Sequence, residues 1–308
     1  VFYRGDPSDP SSLEIVGGSS TYETAAAALY ALEELQLGPL RLSPGMRLEV
    51  FEQSRIDRLA GSTYRDKTSI VPLPSLGFNL DLGTYDLGEV FGASEMRLFG
   101  GIHRGYTPPS SATFQIVGFD PPEATAGGED GFDLRAEKSW NTELGLRGRS
   151  GAGQFEVTGF YLYVEDLVGG RTSFQQNLGV VESYGLEVQS RLNGDAFLGL
   201  LPTLDVSYTF LQSNVVQGVV PRALGTGLVD IRGNELPASP THTGTVRLSK
   251  ELTDTGLTLY TDLRYTGQFF TDLQNLPTEQ PGAPPNHGER GPVPSHIVIN
   301  AGDRKSVV

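Results

Sequence analysis

The residues best able to do chemistry in this 308-residue sequence are few and scattered. Its four histidines, His103, His242, His287 and His296, fall at no metal-ligand spacing. Glu165 and Asp166 are adjacent, so on a strand they point to opposite faces and cannot pair as acid and base. There is no cysteine, which excludes disulfides, thiolate metal sites and a Cys nucleophile. The H-E-x-x-H, G-x-S-x-G and G-x-x-x-x-G-K-[ST] patterns are absent. The expectation is therefore a protein that is not an enzyme, with no cofactor and no resident metal.

Two places carry residue types suited to holding an anionic chelate. His103 and Arg104 end a period-two stretch that runs into a long connection. Arg171, followed by Gln175, Gln176 and Asn177, falls in another long connection. A guanidinium grips carboxylates through two parallel hydrogen bonds, and carboxamides add donors and acceptors. The plainer readings are an interfacial or lipid-headgroup contact for Arg104 and a solvated loop charge for Arg171. The run Glu129-Asp130-Gly131-Phe132-Asp133 clusters oxygens that could ligate Ca²⁺, or is simply a solvated acidic loop.

The elements that must position these residues have a strong period of two. Trp140, Thr142, Leu144 and Leu146 alternate with Asn141, Glu143 and Arg147. Tyr184, Leu186 and Val188 alternate with Glu187 and Gln189; Leu204, Val206, Tyr208 and Phe210 alternate with Asp205, Ser207 and Thr209. Successive strand residues point to opposite faces, so each segment has one apolar and one polar side. Eleven strands are expected, over 26–36, 40–50, 77–86, 94–105, 138–149, 154–168, 180–192, 202–213, 241–251, 256–270 and 295–302. The first is ambiguous, because Thr24-Ala25-Ala26-Ala27-Ala28-Leu29 suits a helix on propensity.

Composition agrees. Gly (39) and Pro (20) supply turns, and only 19% of residues are charged. The formal net charge of −14 repels phosphate backbones, so nucleic acid is not an expected partner. The longest apolar stretch, Ala25–Leu32, is far short of the ~18–20 residues of a membrane helix.

The connections alternate short and long. Short ones lie near 37–39, 87–93, 150–153, 193–201 and 252–255; long ones near 51–76, 106–137, 169–179, 214–240 and 271–294. In an up-and-down meander this gathers tight turns at one end and long loops at the other, as in outer-membrane barrels. Trp140, Tyr184, Tyr208, Phe210, Tyr265 and Phe269 then fall on apolar faces near the long-loop end, where an interfacial aromatic girdle belongs. Charges on the polar faces, among them Glu143, Arg147, Glu187, Arg191, Asp205, Arg247, Asp262 and Arg264, suit a wet lumen.

Several stretches, in order, resemble the barrel of TonB-dependent outer-membrane receptors. Leu134-Arg135-Ala136-Glu137-Lys138-Ser139-Trp140-Asn141-Thr142-Glu143-Leu144-Gly145 is similar to the family's P-E-K-S-x-N-x-E-x-G run, with Ala136 in place of Pro. Phe155 to Leu167 is similar to the next family strand, and Asn177-Leu178-Gly179 with Tyr184-Gly185-Leu186-Glu187 to the element after it. Tyr30 to Glu49 resembles an upstream hairpin, and Asn234-Glu235-Leu236-Pro237-Ala238-Ser239-Pro240 a loop end. Phe99 to Pro109 is similar to the ferric-citrate branch. The resemblance covers about 22 to 302, and the tail after Gly302 departs from it.

The resemblance implies an all-β, antiparallel, up-and-down transmembrane barrel of 22 strands, of which residues 1–308 are an incomplete half of about eleven. The plug domain, the first barrel half and the C-terminal strand are then expected outside this sequence. The implied setting is the Gram-negative outer membrane, with lipid around the wall. The implied ligand is a ferric siderophore or similar chelate, imported with energy that TonB delivers through the plug. His103, Arg104, Arg171, Gln175, Gln176 and Asn177 are the candidate ligand contacts. A passive barrel, or a soluble β-sheet binding module of adhesin or carbohydrate-binding type, remains open at this point.

Overall fold

The structure, a computed structural model, describes residues 2–4, 14–16, 20–57, 62–83, 93–108, 135–171, 174–196, 201–222, 227–252, 255–276 and 291–305. The strands are β1 (Phe2–Arg4), β2 (Glu14–Val16), β3 (Ser20–Leu32), β4 (Leu35–Leu37), β5 (Leu40–Asp57), β6 (Ser62–Asp81), β7 (Glu95–Thr107), β8 (Glu137–Ser150), β9 (Gly153–Arg171), β10 (Phe174–Leu192), β11 (Thr203–Pro221), β12 (Leu228–Asp230), β13 (His242–Leu252), β14 (Leu257–Thr266) and β15 (His296–Lys305). β1 and β2 form a separate pair. All the others belong to one antiparallel sheet in the order β15-β14-β13-β11-β10-β9-β8-β7-β6-β5-β3, with β4 beside β5 and β12 beside β11. The eleven strands of that path are the eleven expected, each beside its neighbour in sequence.

The alanine run is strand. β3 pairs with β5 from Ser20↔Asp57 to Leu32↔Gly45, so a continuous ladder outweighs the helix propensity of Ala25–Ala28. Tight connections close one end of the sheet: Gly38 and Gly256 take positive φ values of 60° and 62° in theirs, a conformation open to glycine. At the other end the strands run further than expected. β9 and β10 are 19 residues each, β5 is 18 and β6 is 20, where a membrane crossing needs about 9–11. The expected loop 169–179 is the upper part of a hairpin, and 51–76 is largely β5 and β6 continuing outward. The excess over that length extends these hairpins at the end away from the tight turns.

No second sheet packs on this one among the described residues, which argues against a sandwich. Only six apolar side chains there are buried: Val71, Met96, Val181, Val215, Val220 and Ile231. Four of them gather with Val229, Leu236 and Leu273 into one small cluster near the long-loop end of β10 and β11. Elsewhere large apolar side chains stand exposed on one face, Leu144 at 55% and Ile299 at 69%. A contiguous exposed apolar face marks a surface meant for an apolar medium.

Candidate functional site

Cross-strand register carries each face across the sheet. One face holds the row Leu80–Leu98–Leu146–Val157–Val188–Tyr208–Gly244–Tyr265–Ile297. Nearer the long-loop end the same face carries Trp140 opposite Tyr163, and Tyr161 opposite Tyr184. The Tyr208 hydroxyl meets His242 Nδ1 at 2.8 Å there. Five of the six aromatics expected in a girdle thus lie on strands of this face; Phe269 lies past the end of β14, bridged to Val293.

The opposite face is polar. Near the tight-turn end it bears the row Glu95–Arg149–Gln154–Arg191–Asp205–Arg247–Asp262–Asn300. Neighbours in it answer each other: Arg149 donates to Gln154 Oε1 at 3.3 Å, Arg191 lies 3.7 Å from Asp205, and Asn300 donates to Asp262 Oδ2 at 2.9 Å. The Arg247 guanidinium stacks 4.4 Å from the Tyr260 ring centroid. The face is hollowed there into a concavity of ≈ 650 Å³ lined by Arg97, Arg147, Arg191 and Arg247 among others. The charged positions of this wall were evident from the period of two, but their alternation in sign along one row needs the register.

The candidate ligand residues part company in the structure. His103 lies on the polar face, exposed, between Ser75 and Asn141 in register. Arg104 follows it and so turns to the apolar face. Its guanidinium lies 5.3 Å from the Trp140 ring centroid and 3.7 Å from Glu165. Of the two readings of Arg104, ligand contact and interfacial contact, these neighbours favour the second, because alternate strand residues face opposite ways. Arg171, Gln175 and Gln176 sit at the tip of the β9–β10 hairpin, with Arg171↔Phe174, Gly170↔Gln175 and Gly169↔Gln176 as partners. They stand on strand ends rather than in a long loop.

Asn177 is occupied by the chain itself. Its Oδ1 accepts the Arg135 amide at 2.8 Å, and its Nδ2 donates to the carbonyls of Arg135 at 2.9 Å and Asp166 at 2.7 Å. Arg135 Nε also donates to Asp166 Oδ1 at 2.8 Å. Asp166 is held at φ 58°, a left-handed conformation that this polar staple supports. Both amide donors are used, and they fasten the start of β8 to the β9–β10 hairpin. The acidic run 129–133 lies outside the described residues. Among the described residues no three His, Asp or Glu side chains could hold a metal ion.

A second staple was not legible in the sequence. Asn275, at φ 49°, accepts the Glu235 amide at 2.6 Å and donates to the Glu235 carbonyl at 2.9 Å, while Asn234 Nδ2 donates to the Leu273 carbonyl at 2.9 Å. These bonds lock 234–236 against 272–275 above the small apolar cluster. Nearby, Asp230 accepts from Arg232 at 2.6 Å, and this hydrogen bond is the main cause holding the Asp230 carboxyl below its usual range.

A single sheet, apolar on one face and polar and hollow on the other, with tight turns at one end and long hairpins at the other, is a section of the wall of an up-and-down membrane β-barrel. The chain belongs to the TonB dependent receptor-like β-barrel family, whose model matches residues 2–302. That family comprises transport receptors, not enzymes, and is characteristic of the Gram-negative outer membrane. Among solved structures the chain is similar to the ferric citrate transporter FecA in the unliganded form, with 20% identity, a TM-score of 0.69 and coverage of 96% of this chain and 39% of that one. It is also similar to the ferric-catecholate import receptor Fiu from E. coli K12 (17% identity, TM-score 0.63, 95% and 40% covered). The ferric yersiniabactin uptake receptor FyuA from Yersinia pestis gives 16% identity, a TM-score of 0.62, and 96% and 40% covered. At these identities the likeness concerns the fold, and this chain spans about two fifths of the length of each. No curated protein matches it.

Proposed function

We propose that this chain is part of the barrel of an outer-membrane active-transport receptor. The receptor binds a scarce ligand, a ferric siderophore or ferric citrate, and imports it with energy supplied by TonB. The observation that carries the reading is the two-faced sheet: one face fit for lipid, the other a wet wall of alternating charge. Three iron-chelate receptors or transporters among the structural neighbours support the iron reading. On this reading residues 1–308 are one partial barrel domain, with the plug, the remaining wall and the closing strand supplied by sequence outside it. His103 on the polar wall and the hairpin tip bearing Arg171, Gln175 and Gln176 are the proposed ligand contacts. Surrounding lipid meets Arg104 and the aromatic girdle.

The test is uptake of radiolabelled iron by Gram-negative cells lacking their own ferric-chelate receptors and producing the complete protein. Ferric citrate and a ferric catecholate are supplied separately, with TonB present or deleted. Uptake of one chelate that disappears with TonB supports the proposal. Uptake indifferent to TonB means a passive barrel, and no uptake of either removes the iron assignment.

A further inference from the structure

We infer that the barrel wall opens along the seam between β6 and β7 in its long-loop half. The reason lies in which way main-chain groups point. In an antiparallel ladder, directly opposed residues alternate between pairs that exchange hydrogen bonds and pairs that do not. The Leu82 amide donates to the Met96 carbonyl at 2.9 Å, in register with the β6–β7 pairs that follow. Even-numbered residues of β6 therefore turn their amides and carbonyls to β7, and even-numbered residues of β7 turn theirs to β6. On the other side the Asp81 amide donates to the Pro39 carbonyl at 2.9 Å, so odd-numbered residues of β6 serve β5.

Pro72 and Pro74 are both even. A proline has no amide hydrogen to give a ladder. The two donors that β6 lacks are thus both donors toward β7, next in line after Leu76. The β5–β6 ladder runs on past them, through Met46↔Pro74 and Leu48↔Pro72, because those positions owe it no hydrogen bond. The β6–β7 register stops at Ser75↔His103, although β6 extends back to Ser62 and β7 on to Thr107. From there β7 is paired on its far side alone, through Thr107↔Glu137 with β8.

A stretch of strand without reciprocal main-chain bonds is held less firmly than the ladder on either side of it, so it is where the wall yields first. Opening swings the segment Arg104–Thr107 away from β6, pivoting at His103.

Hydrogen exchange on the complete protein in lipid bilayers tests this residue by residue. The amides of Arg104 and Tyr106 face β6, those of His103 and Gly105 face β8. We expect the first pair to exchange at least about tenfold faster than the second, a period-two pattern. Equal protection at all four, or equal lability at all four, overturns the proposal. The Pro72→Val/Pro74→Val double variant restores both donors and should slow Arg104 and Tyr106 by about tenfold or more; an unchanged rate also overturns it.

Discussion

An asparagine side chain offers two donors and an acceptor, and at Asn177 all are engaged by Arg135 and Asp166. A ligand contact there would have to break bonds that hold the hairpin. Asn177→Ala leaves the Arg135 amide and two carbonyls without these partners, at about 1 kcal/mol per net hydrogen bond. The expected result is faster proteolysis or amide exchange at 135–137 and 166–168, with ligand affinity affected only through that loosening. A loss of affinity with the hairpin still protected would return Asn177 to the ligand site. At Asp230 the depressed pKa of the folded state means that the Arg232 contact contributes above the usual carboxylate range and is lost as pH falls through the lowered value. Carbon NMR of the Asp230 carboxyl should show its midpoint rising toward about 3.9 in Arg232→Leu; an unmoved midpoint would contradict the cause assigned. The period of two distinguishes His103 from Arg104, but only the structure shows the contact of Arg104 with Trp140 and Glu165.

Strand positions were legible from alternation, and strand ends were not. Alternation shows where two faces differ, yet β5, β6, β9, β10 and β11 continue past the apolar band as long hairpins. There the polar pattern reads as loop. Cross-strand bonds, not side-chain contrast, keep such segments extended, and bonds to a partner strand leave no mark on a single segment. Within the band, each face obeys its medium. Leu144 lies mid-strand on the apolar face and is largely exposed. Leu144→Arg should cost about 2–4 kcal/mol, read as lost outer-membrane level or a lowered midpoint of heat-induced gel-mobility shift. The same substitution at Thr158, on the polar face, should be near neutral. Equal losses at both would argue against the assignment of faces.

The sheet as a whole has edges. β3 and β15 each pair with one neighbouring strand only among the described residues. Eleven successive strands do not close on themselves here, and lipid supplies no hydrogen-bonding partners. Expressed alone without detergent, residues 1–308 should aggregate through these edges and the exposed apolar face. Size-exclusion chromatography with light scattering checks this; a monodisperse monomer without detergent would contradict the membrane-wall reading. The same geometry explains why few buried side chains suffice: a barrel wall is held by its ladder and its surrounding medium rather than by a packed interior.

Taken alone, the sequence determined the class of fold, the number of main strands and the two faces. All follow from local alternation and from turn residues such as Gly38 and Gly256, which act within a few residues. It also carried enough ordered motifs to point to the family. The tertiary structure decided what depends on pairing between distant segments. It set the register that aligns Arg191 with Asp205 and Asp205 with Arg247, the staples at Asn177 and Asn275, and the outward turn of Arg104. It alone revealed that Pro72 and Pro74 withhold donors from β7 and not from β5. A proline in a strand is plain in the sequence, but which neighbour loses the hydrogen bond is a matter of register, and register belongs to two strands at once.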